Sequence, residues 1–425
     1  MSVVKKAGVA AAKLVTKTKA TKIITKADSG VATLKANCAV FGAGLTKSGA
    51  LASRALVMEP TSPSSMLRPL RIVLLNEKKI RKVAAGLGFS LFASSSALYG
   101  SGLNNFYQLG GPERDEEKDS SKGYFIAPHP IPLPNNPTIT SVAAGRLHSL
   151  IGTSDGVYAF GDNQHGQCGQ DPTKNPVVLH SNKGELPRIQ LPTDSKCKQV
   201  HCTLDSSFVL LENGDLYSFG LSTDGQLGTG CADIEWTPTK VQLDQPVRLV
   251  AGSGDTLVAV TNSGELYVWG QTEYNQMSKF TDEPQLFMPF HARFDFDGQE
   301  VRSAAATNTS CIVSTEDGRV YTWGSMFLGS GPLVQESQEP LLLSPNLFSD
   351  SRGRSAKVRR VAAGICTVAA INEADNLFMW GTNRFGNLAL GHDKDQFFPF
   401  QVFLPHSVEK ISLGPVHSLI ITDIF

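Results

Sequence analysis

Residues 157–170 read VYAFGDNQHGQCGQ. An aromatic-ended apolar run stops at Gly161, and a second glycine follows five residues later at Gly166. A phosphate-binding loop of the type G-x-x-x-x-G-K-[ST] would need a lysine and a hydroxyl after the second glycine. Gln167 and Cys168 stand there instead, so the glycines are architectural. Recurrence says what they build. Aromatic–glycine pairs fall at Phe41-Gly42, Tyr99-Gly100, Phe160-Gly161, Phe219-Gly220, Trp269-Gly270, Trp323-Gly324 and Trp380-Gly381, spaced 58, 61, 59, 50, 54 and 57 residues apart. Three of the four tryptophans occupy this slot, which a random scatter would not arrange. In five repeats the residue five places on is Gly166, Gly225, Asn275, Gly329 or Gly386. Four glycines and one asparagine predict a positive φ there, because a Cβ is penalised in that region.

A second element precedes each pair except the first. Its copies include VAAGLGFSLF (83–92), VAAGRLHSLI (142–151), VAGSGDTLVAV (250–260) and VAAGICTVAA (361–370), with a final ISLGPVHSLI (411–420) that has no aromatic–glycine partner after it. Each reads as a small-residue strand, a short break and an apolar strand. A hairpin turn such as Ser-Asp-Gly then leads into the aromatic–glycine strand. The apolar runs are too short for helices, and the small residues suit strands crowded around an axis. The chain therefore opens with one half of a repeat and closes with the other half. If the halves pair, seven sheets close into a ring with no free sheet edge at the seam. The expected fold is all-β: a seven-bladed β-propeller over residues 37–425, closed by its terminal strands, with Val40 and Leu419 in one blade.

Charge is distributed unevenly. Basic and acidic residues number 39 each, but eight of the bases and one of the acids lie in residues 1–36. The remainder thus carries seven more acids than bases, which argues against general nucleic-acid binding and leaves only local patches for it. The first 36 residues are lysine-rich and acid-poor with an amphipathic start, the pattern of a mitochondrial transit peptide or a disordered basic tail. Seven cysteines form no C-x-x-C and no zinc pattern, so no metal or cofactor is expected. No run of 18 apolar residues predicts a membrane span.

The ordered motifs VAAGRLHSL…SDGVYAFGDNQHGQCG, NGDLYSFGLSTDGQLG and NSGELYVWGQTEYNQ resemble the regulator-of-chromosome-condensation repeat family across residues 37–425. GYFIAPHPIPLP (123–134), NQHGQCG (163–169), FLGSGPLV (327–334) and DQFFPFQVFLP (395–405) resemble its mitochondrial branch of condensation-regulator-like G exchanging factors. Thr203, Thr307 and Asn376 replace expected glycines, and only His148 and His417 keep the His-Ser pair. The resemblance implies a mitochondrial matrix or inner-membrane-associated propeller. It implies guanine-nucleotide exchange on a dynamin-like inner-membrane fusion GTPase and support of mitochondrial ribosome biogenesis. The alternative it carries is an assembly factor for mitochondrial rRNA, acting with pseudouridine synthases and without exchange activity.

No nucleophile–base constellation appears, so the chain reads as a non-enzyme. His148 and His417 read as structural, bonding to neighbouring-blade backbone. Asp155, Asp215, Glu265 and Asp317 read as turn residues. Loops carry function on a rigid scaffold. Asp162, Asp224, Glu273 and Arg384, after the aromatic–glycine strands, are the candidate partner contacts. Two basic clusters stand out as candidate RNA contacts: Arg68, Arg71, Lys78, Lys79, Arg81 and Lys82, and Arg352, Arg354, Lys357, Arg359 and Arg360. Both lead into a small-residue strand and are expected on one rim.

Overall fold

In the computed structural model, the described residues are 37–59, 61–110, 123–179, 186–349, 353 and 356–424. The expected transit peptide, Arg352 and Arg354 lie outside them. Among the described residues the strands form seven four-stranded sheets. Blades one to six are consecutive meanders, which run from Lys82–Ala85 as the inner strand of blade one to Gln396–Val402 as the outer strand of blade six. Blade seven takes its inner strands, Val408–Leu413 and His417–Ile424, from the chain end and its outer strands, Asn37–Leu45 and Ser65–Arg71, from the beginning. Val40 pairs with Ile421, Phe41 with Ile420 and Gly42 with Leu419, so the ring closes as the two half-repeats require.

The alternation within each repeat explains its layers. Second strands such as His148–Thr153 are buried on both faces because each is sandwiched between adjacent blades. Outer strands such as Ile234–Lys240 alternate with solvent. Between blades sit the aromatics of the repeat: Trp269, Trp323 and Trp380 are fully buried. Each indole Nε1 donates to a carbonyl of the preceding blade: Trp269 to Gln226 O at 2.9 Å, Trp323 to Gln276 O at 2.8 Å, and Trp380 to Phe327 O at 2.9 Å. Burying roughly 200 Å² of indole at about 25 cal/mol per Å² stabilises each junction by about 5 kcal/mol, against about 1 kcal/mol for the hydrogen bond. Packing thus holds the blades together, and the hydrogen bond fixes their phase.

The structure corrects the repeat register at two places. In blade two His148 faces Gly161, and the equivalent pairs are Ser206–Gly220, Thr256–Gly270, Ser310–Gly324 and Thr367–Gly381. In blade one that partner is Gly102, opposite Phe89, and in blade seven it is Gly44, opposite His417. Tyr99-Gly100 and Phe41-Gly42 therefore stand two residues before the conserved geometry. The reason is steric. A Cβ on Gly44 would lie 2.5 Å from His417 Cα and 2.5 Å from Val416 O, and Gly44 has φ +116°. The slot five residues after the pair is as expected, with φ +75° at Gly166, +77° at Gly225, +68° at Asn275, +84° at Gly329 and +74° at Gly386.

Candidate macromolecule-docking faces

An antiparallel meander sorts its connections to two ends of the ring. In blade two Ile139 pairs with Thr153 and Thr153 with Gly156, so the start of the inner strand and the hairpin share one end, the turn face. Ala144 pairs with Ser149 and His148 with Gly161, so the break at 145–147 and the long loop after Asp162 share the other end, the loop face. Asp162 ends a third strand, Asp224, Glu273 and Arg384 follow third strands, and all four lie at the loop face. The described basic residues next to inner strands, Lys78, Lys79, Arg81, Lys82, Lys357, Arg359 and Arg360, lie toward the turn face. Arg68 and Arg71 sit on the outer strand of blade seven, exposed. The candidate protein and RNA contacts are thus largely on opposite faces.

Loop-face connections are rigid because their polar groups are bonded internally. Asn163 Oδ1 accepts from Cys168 N at 2.8 Å, and its amide donates to Gln170 O and Asn175 O. Asn104 and Asn383 do the same in blades one and six, accepting from Leu109 N and Leu388 N. The glutamine after the positive-φ residue caps the turn from within: Gln167 Oε1 accepts from His165 N, Gln226 from Asp224 N and Gln276 from Tyr274 N. Asp162 is only 6% exposed, and its carboxylate accepts from Gln167 Nε2 at 3.0 Å, so it orders its own loop. Asp224 accepts from Gln285 Nε2 at 2.7 Å and is half-buried. Glu273 and Arg384 are exposed. They occupy one repeat position, two before the positive-φ residue. The same position holds Lys47, Asn105, Gln164 and Thr223, all exposed. This crown of six was readable from the repeat alignment, and only two of its members were singled out in the sequence.

Inside the crown lies a carboxylate cluster. Arg146 bridges to Asp205 at 2.9 Å, and Gln226 Nε2 donates to Asp255 at 3.1 Å. Burial raises the carboxyl pKa of Asp162, Asp205 and Asp255 above the usual range.

At the turn face, arginines clamp blade to blade. Arg248 Nη1 donates to Arg302 O at 2.8 Å, Arg302 pairs with Glu373 at 3.4 Å, and Arg359 pairs with Asp375 at 2.8 Å and donates to Val408 O at 2.9 Å. Arg81 lies 3.6 Å from Glu409 and 3.5 Å from Asp423. Arg81 and Arg359 are therefore engaged in the scaffold, whereas Arg68, Arg71, Lys79 and Lys357 are exposed. Lys78 Nζ sits over the Tyr99 ring at 4.3 Å.

The remaining polar groups are structural. His148 Nε2 meets Ser207 Oγ at 2.9 Å and His417 Nε2 meets Ser90 Oγ at 2.8 Å, so each bridges to the next blade through a serine hydroxyl and not through the expected backbone group. Burial pushes these imidazoles down to about 3 and about 4, so both are neutral. Asp155 takes the Thr153 hydroxyl at 2.6 Å, Asp215 pairs with Lys240 at 2.7 Å and Asp317 with Arg319 at 2.6 Å, in keeping with turn roles. Among the described residues one side-chain cluster has metal-ligand composition, Cys38 with Glu409 and Asp423. The Arg81 guanidinium lies 2.7 Å from the Cys38 sulfur and already supplies the positive charge. Burial and the hydrogen bond to Asp423 push the thiol up to about 12, so it is no thiolate at neutral pH.

A profile of the Regulator of chromosome condensation (RCC1) repeat matches residues 154–210, 213–260 and 375–421, and a second RCC1 repeat profile matches 139–167. The human RCC1-like G exchanging factor-like protein is 33% identical over 407 residues, covering 91% of this chain and 87% of that protein. The crystal structure of human WBSCR16 superposes with a TM-score of 0.83 at 32% identity, covering 91% of this chain and 100% of that one. Saccharomyces cerevisiae Prp20p, whose structure was described with its binding properties to Gsp1p and histones, shares the fold with a TM-score of 0.74 at 19% identity, covering 92% of each chain.

Proposed function

The chain belongs to the RCC1-repeat family alongside the RCC1-like G exchanging factors, and on that premise we propose that it is a non-catalytic propeller that promotes nucleotide exchange on a GTPase. The specific reading is a mitochondrial protein acting on a dynamin-like inner-membrane fusion GTPase and supporting mitochondrial ribosome biogenesis. Among the described residues no helix is long and apolar enough to cross a membrane; in this reading inner-membrane association runs through the partner. Exchange needs no covalent chemistry. A surface that binds the nucleotide-poor GTPase more tightly than the loaded form shifts the equilibrium toward release by that difference in affinity. The observation that carries this reading is the loop-face crown. Its residues, Glu273 and Arg384 among them, are exposed on loops whose backbone groups are satisfied internally, so docking costs little ordering entropy.

The test is release of fluorescent GDP from the purified fusion GTPase with the propeller in catalytic amount. Glu273→Ala with Arg384→Ala should slow release about tenfold, the loss of roughly 1.4 kcal/mol of differential binding. Release that the wild-type propeller does not accelerate sinks exchange on this GTPase. Acceleration that the variant keeps sinks the crown as the contact.

A second reading rests on Arg68, Arg71 and Lys79, exposed along the outer strand of blade seven and the connection after it. These would hold mitochondrial rRNA phosphates, with pseudouridine synthases as co-factors of assembly. Crosslinking to that RNA should fall on their neutralisation and with rising salt.

A further inference from the structure

The innermost strands of all seven blades surround an axial cavity of about 380 Å³. Val83, Val142, Val200, Val250, Ala304, Val361 and Ile411 are equivalent by register, each facing the corresponding residue of its second strand. Side chains alternate along a strand, so the residue before each of these forms one ring around the lumen. Blades six, seven and one contribute Arg360, Lys410 and Lys82 to that ring. Blades two to five contribute Ser141, Gln199, Leu249 and Ser303, and all seven line the cavity. Three cations thus stand on three consecutive blades of one ring.

Their counter-charge is one shared carboxylate, Glu409, which acts on all three cations. Among the described residues no Asp or Glu lines the cavity. Glu409 is the nearest carboxylate, and it is shared with Arg81 at 3.6 Å and Lys410 at 3.4 Å. Lys410 is anchored by donation to Arg81 O at 3.1 Å. Lys82 and Arg360 form no salt bridge among the described residues. Arg360 is enclosed by the ring yet exposed to its lumen. One register step further along, Ala84, Ala143, Ala251, Ala305 and Ala362 leave the lumen wide beyond the cations. Open space, a one-sided ring of cations and no carboxylate in the lining together describe an anion cradle. Lys82 and Lys410 repel one another in a partly desolvated site, and folding tolerates such charges most readily when an anion spans them.

We propose that the turn-face end of the axial channel, at Lys82, Arg360 and Lys410, binds a small multivalent phosphate anion. A polyphosphate chain suits the site because three cations across three blades call for several anionic oxygens spread along one molecule, and Arg360 can take a phosphate through two N–H groups. Burial and the neighbouring Lys410 lower the pKa of Lys82 and outweigh the opposing pull of Glu409, so one carboxylate is shared among more cations than it can neutralise. The site is separate from the loop-face crown and does not depend on the exchange reading.

The probe is inorganic tripolyphosphate, titrated calorimetrically into the full chain at about 0.1 M salt, where screening reaches only about 10 Å. Saturable one-to-one binding is expected. Lys82→Gln with Arg360→Gln should weaken it at least about tenfold, while Lys174→Gln, on an exposed loop, should leave it unchanged. In phosphate-free buffer the double variant should melt at or above the wild-type temperature, because it relieves repulsion. If that variant fails to fold, each single substitution and Gln199→Glu, which sets a carboxylate in the ring at constant shape, should each weaken binding. ATP without magnesium is the second arm: affinity equal to tripolyphosphate assigns recognition to the phosphates, and tighter binding adds the nucleoside. A chain that ignores tripolyphosphate, binds it equally well without Lys82 and Arg360, or takes only a 5′-phosphorylated single-stranded RNA overturns the proposal.

Discussion

Gly44→Ala should be among the most damaging single-methyl additions to this protein, and Gly42→Ala should be mild. The contrast follows from the seam where the ring closes. Gly44 sits at φ +116°, outside the territory of residues with a Cβ, and a strained backbone of that kind costs about 1–3 kcal/mol. Its added Cβ would meet His417 Cα and Val416 O, each at 2.5 Å. Both are backbone atoms, at the start of the paired strand and in the residue just before it, which can retreat only by opening the seam, at about 1–3 kcal/mol more. The sum is about 2–6 kcal/mol. At Gly42 the φ is ordinary and the nearest atom is Leu51 Cδ2 at 2.8 Å, the end of a side chain that can turn, so the cost is about 1 kcal/mol. With an m-value of about 4 kcal/mol/M, above the small-protein range because the ring is large, a loss of about 4 kcal/mol lowers the urea midpoint by about 1 M. Urea melts followed by tryptophan fluorescence, with buried Trp269, Trp323 and Trp380 as reporters, read this directly. Equal loss in the two variants, or a larger loss for Gly42→Ala, would refute the two-residue register at the seam.

Acid should loosen the ring through its buried histidines. Folded His148, His201 and His417 sit at about 3, about 4 and about 4, below their unfolded value of 6.5. Their contribution is whole above pH 6.5 and is lost as pH falls toward the folded values, by about 1.4 kcal/mol per pH unit per proton. His417→Phe, the residue that Phe89 supplies at the equivalent position of blade one, should flatten that slope by one proton in melts between pH 6.5 and 4.5. Trp323→Phe removes part of the buried indole's packing and orphans Gln276 O, so a loss of at least about 1–3 kcal/mol is expected in the same urea assay. Phe219 fills that slot in blade three. Thiol titration of the native protein with a disulfide reagent should modify Cys231 first, because it is partly exposed, whereas Cys168, Cys202 and Cys311 are buried with their thiols pushed up by burial. They should react only on unfolding.

The blade number, the closure and the structural role of the histidines were all legible in the chain. Each rests on local chemistry repeated around the ring: a glycine or asparagine where φ must be positive in five of the repeats, small residues at the axis, and an aromatic where blades meet. Phe41-Gly42 and Tyr99-Gly100 misled because a slip of two residues leaves every side chain on the same face of its strand. Hydrophobic alternation cannot detect such a slip, and only the close approach of Gly44 to His417 and of Gly102 to Phe89 sets the register. Distance in the chain hides the rest. Lys82, Arg360 and Lys410 become neighbours only when the first and last blades meet, and the loops of Glu273 and Arg384 part from the basic clusters only when the meander assigns each connection to an end of the ring. The sequence by itself determined the repeating unit and how many copies close, because those are properties of near neighbours along the chain. Closure alone decided which charges share a lumen and which face each loop presents, because those depend on strands hundreds of residues apart coming into register.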